Sequence, residues 1–423
     1  MLGKKKLTES SYIIVLNFLF ILSIAIDNIN GYLMVQRGIK TPIGQLFRFL
    51  IIIIIISILQ RKESAVRKIA FSSFFILVYS LYFTVFYDAS FSREMMVLIR
   101  IFYTPFLILF FYTERRAFNI EQLYKYIVNY GFLISSLIIV CFIMGWGNLS
   151  YREAYGFGVK AFYKAGNDLS LTIVFSLAIS CVYYSKYSEN AFTLAKCTLI
   201  TIGGILIGTR VSMLLCPTIY FLFLCIYFVF LDKKSNIVRY VYLIGAFAIV
   251  VYIGNIVYNM LDDWTMARFE MESIQSARDD LKEPAIKYIS TLDGFSLFFG
   301  EGYSSLGKFI SNRLGSDIEE KSAEADWVEM VGSYGYLVGG LIIFFYIYIV
   351  KKAIAKYKRE RSFENLMLFF LTALFVVVSY FAGHAMNNSM ISPLYGVVAS
   401  IVLTKSIGEK KNENACYLKH VSV

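Results

Sequence analysis

The sequence predicts an all-α polytopic membrane protein with about twelve transmembrane helices of about 20 residues each. Of its 423 residues, 58% are hydrophobic and only 17% are charged, and the mean hydropathy is +0.62. Soluble globular chains are about 45–50% apolar and about 25% charged. The chain also has only five prolines beside 38 Phe and 32 Tyr residues, which is atypical of disordered or collagen-like sequences. This composition excludes a soluble enzyme and indicates long helices packed in lipid.

Apolar windows separated by polar breaks define the predicted spans, and together they make the whole chain, 1–423, a single integral membrane domain. The cysteines from Cys141 to Cys225 fall inside these windows without metal-ligand spacing, and we interpret them as small core residues. The windows lie near 12–31, 41–59, 69–87, 95–112, 124–147, 168–185, 191–208, 211–231, 237–261, 327–350, 365–383 and 388–406.

Lysine and arginine are distributed unevenly between alternate connections, and this asymmetry predicts the orientation of the chain. The basic segments are Lys4–Lys6, the loop at 60–68, the loop that begins at Lys351 and the C-terminal tail. The first apolar stretch continues to Gly31 without a cleavage-site pattern, so it is predicted to be a retained span rather than a signal peptide. Both termini are therefore predicted to be cytoplasmic.

One outer connection, 262–326, is far longer than a typical loop of about 4–6 residues and is rich in acidic residues. Pro284 suits the first turn of a helix, and apolar residues follow it at helical spacing as far as Leu292. The segment is thus predicted to be partly helical and either to lie along the membrane surface or to dip back into the bundle. A second outer segment, about 148–167, is predicted to share one mouth with it.

Ionisable residues at membrane depth cost roughly 2.5–3.5 kcal/mol on insertion scales, so each needs a reason. Asp27, Arg48 and Arg100 fall inside predicted spans. The two arginines are expected to pair either with Asp27 or with carbonyl groups at helix ends. Arg210 differs, because it lies in the short break Gly208-Thr209-Arg210 at the outer face. A planar guanidinium there is suited to bind a phosphate group with two hydrogen bonds.

The long loop contains two further candidate anion-binding arginines, Arg268 and Arg278. Arg278 is followed directly by two aspartates, so it is expected either to pair with its acidic neighbours or to bind an anionic ligand. Gly300 and Gly302 follow in Phe-Gly-Glu-Gly-Tyr, where glycine permits a tight turn and a close approach of backbone to a ligand.

Carboxylates lie at the start of the tenth predicted span, and a histidine lies between the last two predicted spans. Glu324 and Asp326 stand at the threshold of the tenth span, and Glu329 lies just inside it. A partly desolvated carboxylate there is a candidate general base, although Asp326 is equally suited to cap the helix. His384, in the turn between the last two spans, is either a packed interfacial residue or a residue of the site.

The ordered set of these motifs resembles the O-antigen polymerase and ligase superfamily, bacterial membrane proteins that act on sugars carried by undecaprenyl diphosphate. Ligases of this superfamily usually have a His-Asn pair entering the span after the long loop, whereas this chain has Glu324-Ala325-Asp326. The resemblance is therefore closer to the polymerase branch. It covers roughly 150–400 and consists of AGND at 165–168, GTR at 208–210, SARD at 276–279, FGEGY at 299–303, EADWVEMVGSYG at 324–335 and GH at 383–384.

The resemblance implies an inverting glycosyl transfer at the outer face of the bacterial cytoplasmic (inner) membrane. The donor is a glycan on undecaprenyl diphosphate, the acceptor is a hydroxyl on another lipid-linked repeat unit, and the product is O-antigen of lipopolysaccharide or capsular polysaccharide. Arg210, Arg278 and Arg268 would bind the diphosphate, as a site of concentrated positive charge. Glu324 is the first candidate for the base, Asp326 the second, and His384 a third residue of the catalytic site.

Neither a cofactor nor a metal is expected, because the chain has only two histidines and its outer acids form no compact DxD motif. The expected partners are the lipid-linked donor and acceptor and the bilayer, with a chain-length regulator and a flippase as candidate protein partners; nucleic acid is not expected. Two alternatives stay open. One is a lipid-linked oligosaccharide flippase or other transporter, and the other is an O-antigen ligase that transfers glycan to lipid A-core.

Overall fold

The computed structural model of the chain describes residues 12–39, 41–150, 157–227, 271–315 and 321–404, together with scattered positions between 241 and 259. Of residues 271–279 only the helical backbone is described. This part of the chain is all-α. The one extended pairing within it is a single antiparallel bridge between Leu149 and Val159, and the helices are numbered below in chain order.

Within the described residues, seven helices are long and apolar enough to cross a membrane, and four more are apolar but shorter. Three further helices belong to the long connection predicted at 262–326. The long helices are α1 (Tyr12–Gln36), α3 (Glu63–Tyr87), α4 (Phe91–Thr113), α5 (Ile120–Met144), α6 (Gly166–Lys186), α12 (Asp326–Arg359) and α13 (Phe363–Phe381). The shorter ones are α2 (Ile43–Leu59), α7 (Ala191–Leu206), α8 (Arg210–Ile226) and α14 (Ser392–Leu403). The connection contains α9 (Met271–Thr291), α10 (Gly294–Phe299) and α11 (Tyr303–Arg313).

The prediction of an all-α chain with apolar helices suited to a membrane is confirmed. Each predicted window except one coincides with one of these helices. The exception, 237–261, lies mostly outside the described residues. The count of about twelve spans of about 20 residues stays a prediction, because four of the apolar helices are shorter than 18 residues.

The centre of the bundle is formed by α6 and α14. Every residue from 169 to 184 of α6 is buried, as is every residue from 392 to 402 of α14. A helix that is buried on all sides must be surrounded by other helices, and α6 contacts α5, α7, α8, α13 and α14. The two helices begin at the same end of the bundle, where Asn388, just before α14, donates a hydrogen bond to the Asp168 carbonyl in the first turn of α6.

Small residues allow the helices around α6 to approach closely. A Cβ atom at Gly131 of α5 would lie 2.4 Å from the Cβ atom of Ser176, and one at Gly203 of α7 would lie 2.5 Å from that of Ser135. Membrane helices use such small residues at their interfaces, because lipid provides no hydrophobic drive for association and close packing must replace it. The glycines of α5 and α7 thus explain how the three helices fit together.

The long connection has a small hydrophobic core of its own against the first turn of α12. Ile289, Leu306 and Val328, from α9, α11 and α12, belong to this core. The predicted helix start at Pro284 is wrong, because α9 begins at Met271 and contains Pro284 in its interior. The segment after α9 packs into the bundle, which was one of its two predicted positions. The hydroxyl of Tyr79 on α3 donates a hydrogen bond to the Phe299 carbonyl at the end of α10.

The helix α12 is too long to be a simple span. It has 34 residues, about 51 Å of helix, against a hydrocarbon core of about 30 Å. It is interrupted at Gly335, which has φ +70° and begins a π-helical turn that ends at Gly339. The part before Gly335 packs with α9 and α11, so only the part from Gly340 onward has the surroundings of a membrane helix.

The end of the bundle opposite this connection contains the lysines and arginines of the loops after α2 and α4. Lys62 donates a hydrogen bond to the Thr113 carbonyl, 2.9 Å away, and forms an ion pair with Glu114 at 2.9 Å. Lys186 pairs with Glu364 at the same end of the bundle. Basic residues of several loops thus gather at this end of the bundle.

Replacing Gly300 with Ala is expected to destabilise the protein. Gly300 has φ +70°, and a Cβ atom there would lie 2.2 Å from the Ser333 carbonyl oxygen. The combined strain and overpacking should lower the free energy of unfolding by roughly 2–4 kcal/mol, seen as a lower melting temperature in detergent. Gly340→Ala is the matched control, because nothing lies within 4 Å of its Cβ position; equal melting temperatures for the two variants would contradict the packing described for Gly300.

Candidate functional site

Asp326, the first residue of α12, fastens the loop between α13 and α14 to the start of α12. Its side chain is 1% exposed, and the carboxylate accepts hydrogen bonds from the backbone N–H groups of His384, Ala385 and Met386 at 2.7, 2.8 and 2.9 Å. The N-cap of α12 is Ala325, without a side-chain cap. Asp326 therefore does not cap its own helix, and both of its oxygens are occupied by the neighbouring loop.

Glu324 and His384 lie on either side of this contact, and both have left-handed backbone, with φ +52° and +61°. Gly383 (φ +66°) packs so tightly that a Cβ atom there would lie 2.4 Å from the Glu324 carbonyl oxygen. Left-handed conformations cost non-glycine residues roughly 1–2 kcal/mol and tend to persist at functional sites where the surroundings impose them. The structure thus brings together the three predicted catalytic residues, Glu324, Asp326 and His384.

Glu329, one turn into α12, extends the acidic cluster toward α6. It is 4% exposed and accepts hydrogen bonds from the Ser322 hydroxyl (2.7 Å) and from the Asn387 amide (3.1 Å). The next residue, Asn388, donates to the backbone carbonyl of Asp168 at the start of α6 (3.1 Å). The loop 383–388 therefore connects the acidic start of α12 with the AGND motif.

A cavity of about 520 Å³ lies beside this cluster, between the ends of α1, α2, α4 and α6. Asp168 and Asn387 belong to both the cavity wall and the cluster, whereas Glu324, Asp326 and His384 do not line the cavity. Its apolar wall contains Met34, Phe49, Phe91, Met95, Met96 and Ile99, and its charged side chains are Asp27, Arg48, Arg100, Lys164 and Asp168. The cavity is thus amphiphilic, with more basic than acidic side chains.

The charged side chains of the cavity differ in what they contact. Arg48 forms an ion pair with Asp27 (2.6 Å) and donates to the Gly44 carbonyl (2.8 Å). The Arg100 side chain is exposed to the cavity, and it interacts electrostatically with Asp168 and Glu329. No hydrogen bond or ion pair to Arg100 exists within the described part of the chain. Arg100 is therefore a cation with capacity for a ligand.

Three helices begin at the cavity wall, and this adds to its attraction for anions. The N-cap residues of α2, α4 and α6 are Pro42, Ser90 and Ala165, and none of them makes a side-chain cap hydrogen bond. Helix N-termini carry partial positive charge and free N–H groups, which stabilise anions nearby. Together with the basic side chains, they make this cavity suited to a negatively charged group attached to an apolar chain.

The structure does not bring the predicted diphosphate-binding arginines to this cavity. Arg210 is the first residue of α8 and does not line the cavity. Its neighbour Thr209 shares hydrogen bonds with the hydroxyls of Ser212 (2.9 Å) and Ser170 (2.5 Å), which places the GTR motif against the first turn of α6. Arg268 and the side chain of Arg278 lie outside the described residues, so the roles of all three arginines stay predictions.

Gly300 and Gly302 do adopt the tight turn that the sequence predicts, with φ +70° and +95°. The close approach is to the protein's own backbone: the Gly302 N–H donates to the Ser333 carbonyl at 2.9 Å. The FGEGY motif thus packs against the GSYG end of its neighbour motif. Nearby, burial and the hydrogen bond to Glu301 raise the pKa of Tyr288, which keeps this hydroxyl protonated.

Of the two outer segments predicted to share one mouth, the shorter one, 148–167, lines the cavity through Tyr163, Lys164 and Ala165. No described residue of the long connection lines it. Lys160, in the same short segment, is half-buried, and burial lowers the pKa of its ammonium group. Lys164 is exposed and is the cation that this segment presents to the cavity.

Several residues of this region were not assigned to the site by sequence reasoning. Arg100 was recognised as an ionisable residue at membrane depth but not as part of a cavity, and Asn387 gave no signal. Glu94 of α4 was missed as well: it is fully buried, and its carboxylate accepts hydrogen bonds from the backbone N–H groups of Tyr303 (3.1 Å) and Ser304 (2.8 Å) at the start of α11. The buried acids Glu94 and Asp326 thus anchor loops at this end of the bundle.

Comparison with known proteins adds no family to this description, because no family model matches the chain and no curated protein matches its sequence. Among the described residues, no group of three or more His, Cys, Asp or Glu side chains could hold a metal ion. The independence of metals that the sequence suggests stays a prediction.

Asp326→Asn and Glu324→Gln are expected to differ in stability. The carboxylate of Asp326 accepts hydrogen bonds from three backbone N–H groups. An amide keeps only one acceptor oxygen and turns its NH2 group toward at least one of these donors, and the lost bond should cost roughly 1–3 kcal/mol of unfolding free energy. Glu324 is half-exposed, and its carboxylate has no hydrogen bond or ion pair within the described residues.

The measurement is thermal unfolding of the two purified variants in the same detergent. Glu324→Gln should have the melting temperature of the wild type, and Asp326→Asn should have a lower one. If Asp326→Asn melted at the wild-type temperature, the anchoring role of Asp326 would be untenable.

Proposed function

We propose that the chain is a polysaccharide polymerase, a glycosyltransferase that joins undecaprenyl-diphosphate-linked oligosaccharide repeat units into O-antigen or capsular polysaccharide. The observation that carries this proposal is the amphiphilic cavity of about 520 Å³ beside the acidic cluster. It has the apolar wall that a polyprenyl chain requires and the basic side chains that a diphosphate requires. Its volume is in the usual range of ligand pockets, about 300–1,000 Å³.

The contacts between motifs support the proposal further. AGND contacts GTR where a Cβ atom at Gly166 would lie 3.3 Å from the Thr209 side chain. AGND also contacts the loop after GH, because Asn388 donates a hydrogen bond to the Asp168 carbonyl. Asp326 joins GH to the EADW motif, and Gly302 joins FGEGY to GSYG. Segments far apart in sequence thus meet at one end of the bundle, as expected for a substrate site that is assembled from several outer loops.

In the proposed reaction, a hydroxyl oxygen of the acceptor sugar forms a bond to the anomeric carbon of the donor. The bond from that carbon to the diphosphate oxygen breaks, and its electron pair leaves with the lipid diphosphate. The hydroxyl proton passes to a carboxylate base, for which Glu324 is suited because it is half-exposed and its oxygens are not used by the described residues. Asp326 is less suited, since three N–H groups occupy its oxygens.

Positive charge at the leaving diphosphate accelerates such a transfer, because it stabilises the charge that develops in the transition state. Arg48, Arg100 and Lys164 of the cavity are available for this, and Arg210, Arg268 and Arg278 are proposed for it from the resemblance. The leaving group is already a good one, so no acid is required to protonate it. Direct attack with a single base inverts the anomeric configuration.

The location that we propose is the bacterial cytoplasmic (inner) membrane, with about twelve spans of about 20 residues and cytoplasmic termini. The loops rich in Lys and Arg gather at the end of the bundle opposite the cavity. Lys62 of the loop after α2, for example, donates a hydrogen bond to the Thr113 carbonyl at the end of α4. Such loops are characteristic of the cytoplasmic side. The cavity and the acidic cluster would then open at the outer face, where lipid-linked repeat units are extended.

A transporter of lipid-linked oligosaccharide is the second candidate, and the interruption of α12 at Gly335 favours it. Transporters place substrate sites at broken helices, but typically near the bilayer midplane and between structural repeats. Here the break packs against α10, which fills the position a substrate would need. An O-antigen ligase shares the donor site and differs only in its acceptor.

Purified protein in lipid nanodiscs, given a lipid-linked repeat unit, is expected to produce a ladder of longer glycans on a gel. Glu324→Gln should lower the rate by roughly 100-fold or more, since general base catalysis contributes about 10²–10⁴-fold. Glu63→Gln is the control, because Glu63 is an exposed carboxylate at the start of α3.

Movement of the lipid-linked unit across liposomes without lengthening would instead identify the transporter, and transfer only to lipid A-core would identify the ligase. A full ladder from Glu324→Gln would remove Glu324 from the reaction and leave the polymerase itself in place.

A further inference from the structure

The cations of the cavity wall come largely from helices that contain none of the recognised motifs. Arg48 lies on α2 and Arg100 lies on α4, whereas the motifs begin at Ala165. Both arginines stand beside the apolar wall formed by Phe49, Met95 and neighbouring side chains. The N-terminal helices therefore supply a charged surface for which the motif pattern provides no explanation.

Arg48 and Asp27 form a buried ion pair at one side of this wall. Their side chains are 19% and 9% exposed, and the guanidinium nitrogen lies 2.6 Å from the carboxylate. A guanidinium has five N–H donors, and the described contacts of Arg48 use one toward Asp27 and one toward the Gly44 carbonyl. Arg48 thus has donors left for a second acceptor in the cavity.

Arg100 faces the same cavity, and its charge is only partly balanced by Asp168 and Glu329. A phosphate group between the two arginines would accept charge-assisted hydrogen bonds, which are shorter and stronger than neutral ones. The N-termini of α2 and α4, at Pro42 and Ser90, have no side-chain cap and begin at the cavity wall, so they add favourable potential for an anion there.

Building on the proposed function, we infer that Arg48 and Arg100 bind the phosphates of the lipid ligand and that Asp27 limits the affinity of this site. Asp27 shares Arg48 with the ligand, and its negative charge opposes that of the phosphate at short range. A turnover enzyme that releases a lipid diphosphate after every transfer needs such a limit, because tight binding of the product would slow its release. Asp27 is thus a positioning and charge-balancing residue.

A purely structural role is the competing explanation for the pair, since Asp27 and Arg48 also connect α1 to α2. The two explanations make opposite predictions for Asp27→Asn. If the pair only holds helices together, removal of the carboxylate weakens the fold and leaves ligand affinity unchanged or lower. If Asp27 limits affinity, the same substitution increases it.

The experiment measures binding of undecaprenyl diphosphate to the purified full chain in nanodiscs, with inorganic pyrophosphate as a second probe. Arg100→Ala should weaken binding of the lipid roughly 10- to 100-fold, the range for a hydrogen bond to a charged group. Asp27→Asn should tighten it roughly tenfold through the loss of repulsion. Arg37→Ala is the control, because Arg37 is an exposed arginine at the same end of the bundle, bonded to Tyr32 and outside the cavity wall.

Asp27→Asn combined with Arg48→Gln removes both charges and leaves none unpaired, so it keeps the test valid if Asp27→Asn alone fails to fold. This double variant should bind the lipid several-fold more weakly than the wild type. Pyrophosphate should bind far more weakly than the lipid. Equal affinity for both probes would show that the site binds a free phosphate compound, and it would overturn the lipid assignment.

Two results separate the roles of Arg48, Arg100 and Asp27 from the polymerase activity itself. If the wild type binds undecaprenyl diphosphate and all variants bind it equally well, the roles of Arg48, Arg100 and Asp27 are overturned while the polymerase proposal remains. If the wild type binds no lipid diphosphate, both are overturned.

Discussion

The arrangement of the site depends on one interaction, the buried carboxylate of Asp326 with three backbone N–H groups of the loop that contains His384. A buried charge without partners is expensive, so this carboxylate and the loop constrain each other. Because the loop is fixed, Asn387 reaches Glu329 and Asn388 reaches the start of α6. Removal of this anchor would separate the acidic start of α12 from the cavity.

A second buried carboxylate works in the same way on the other side of the long connection. Glu94 accepts hydrogen bonds from the first N–H groups of α11, groups that every helix leaves without partners inside its own first turn. The connection is thus held to the bundle through α4 and through the loop after α13, in addition to the hydrogen bond from Tyr79 of α3 to the Phe299 carbonyl. Its own hydrophobic core then packs on the first turn of α12. The described part of this acidic segment is thereby packed against the bundle.

The sequence was informative where hydropathy and helical spacing decide the structure, and less so where tertiary contacts do. The windows that became α1 to α8 and α12 to α14 were recognisable from apolar length alone. The start of α9 was misplaced because Pro284 resembles a first-turn proline, whereas the turns before it are polar and gave no apolar signal.

Side-chain roles were harder to predict than helices, because partners distant in sequence determine them. Asp326 has the sequence environment of a helix cap, and only the fold shows that its carboxylate turns to the loop at 384–386. Arg100 and Asn387 lie far apart in sequence, yet both line the cavity. The sequence placed Glu324, Asp326 and His384 in motifs near the predicted ends of spans. It did not predict which of these residues contact each other.

The central proposal is that the cavity among α1, α2, α4 and α6 holds a lipid diphosphate beside the acidic cluster. The most direct measurement is an experimental structure of the protein in nanodiscs with undecaprenyl diphosphate bound. We expect phosphate density between Arg48 and Arg100, with the polyprenyl chain along Phe49 and Met95. Phosphate density outside this cavity, for example at Arg210, with the cavity filled by ordinary lipid, would contradict it.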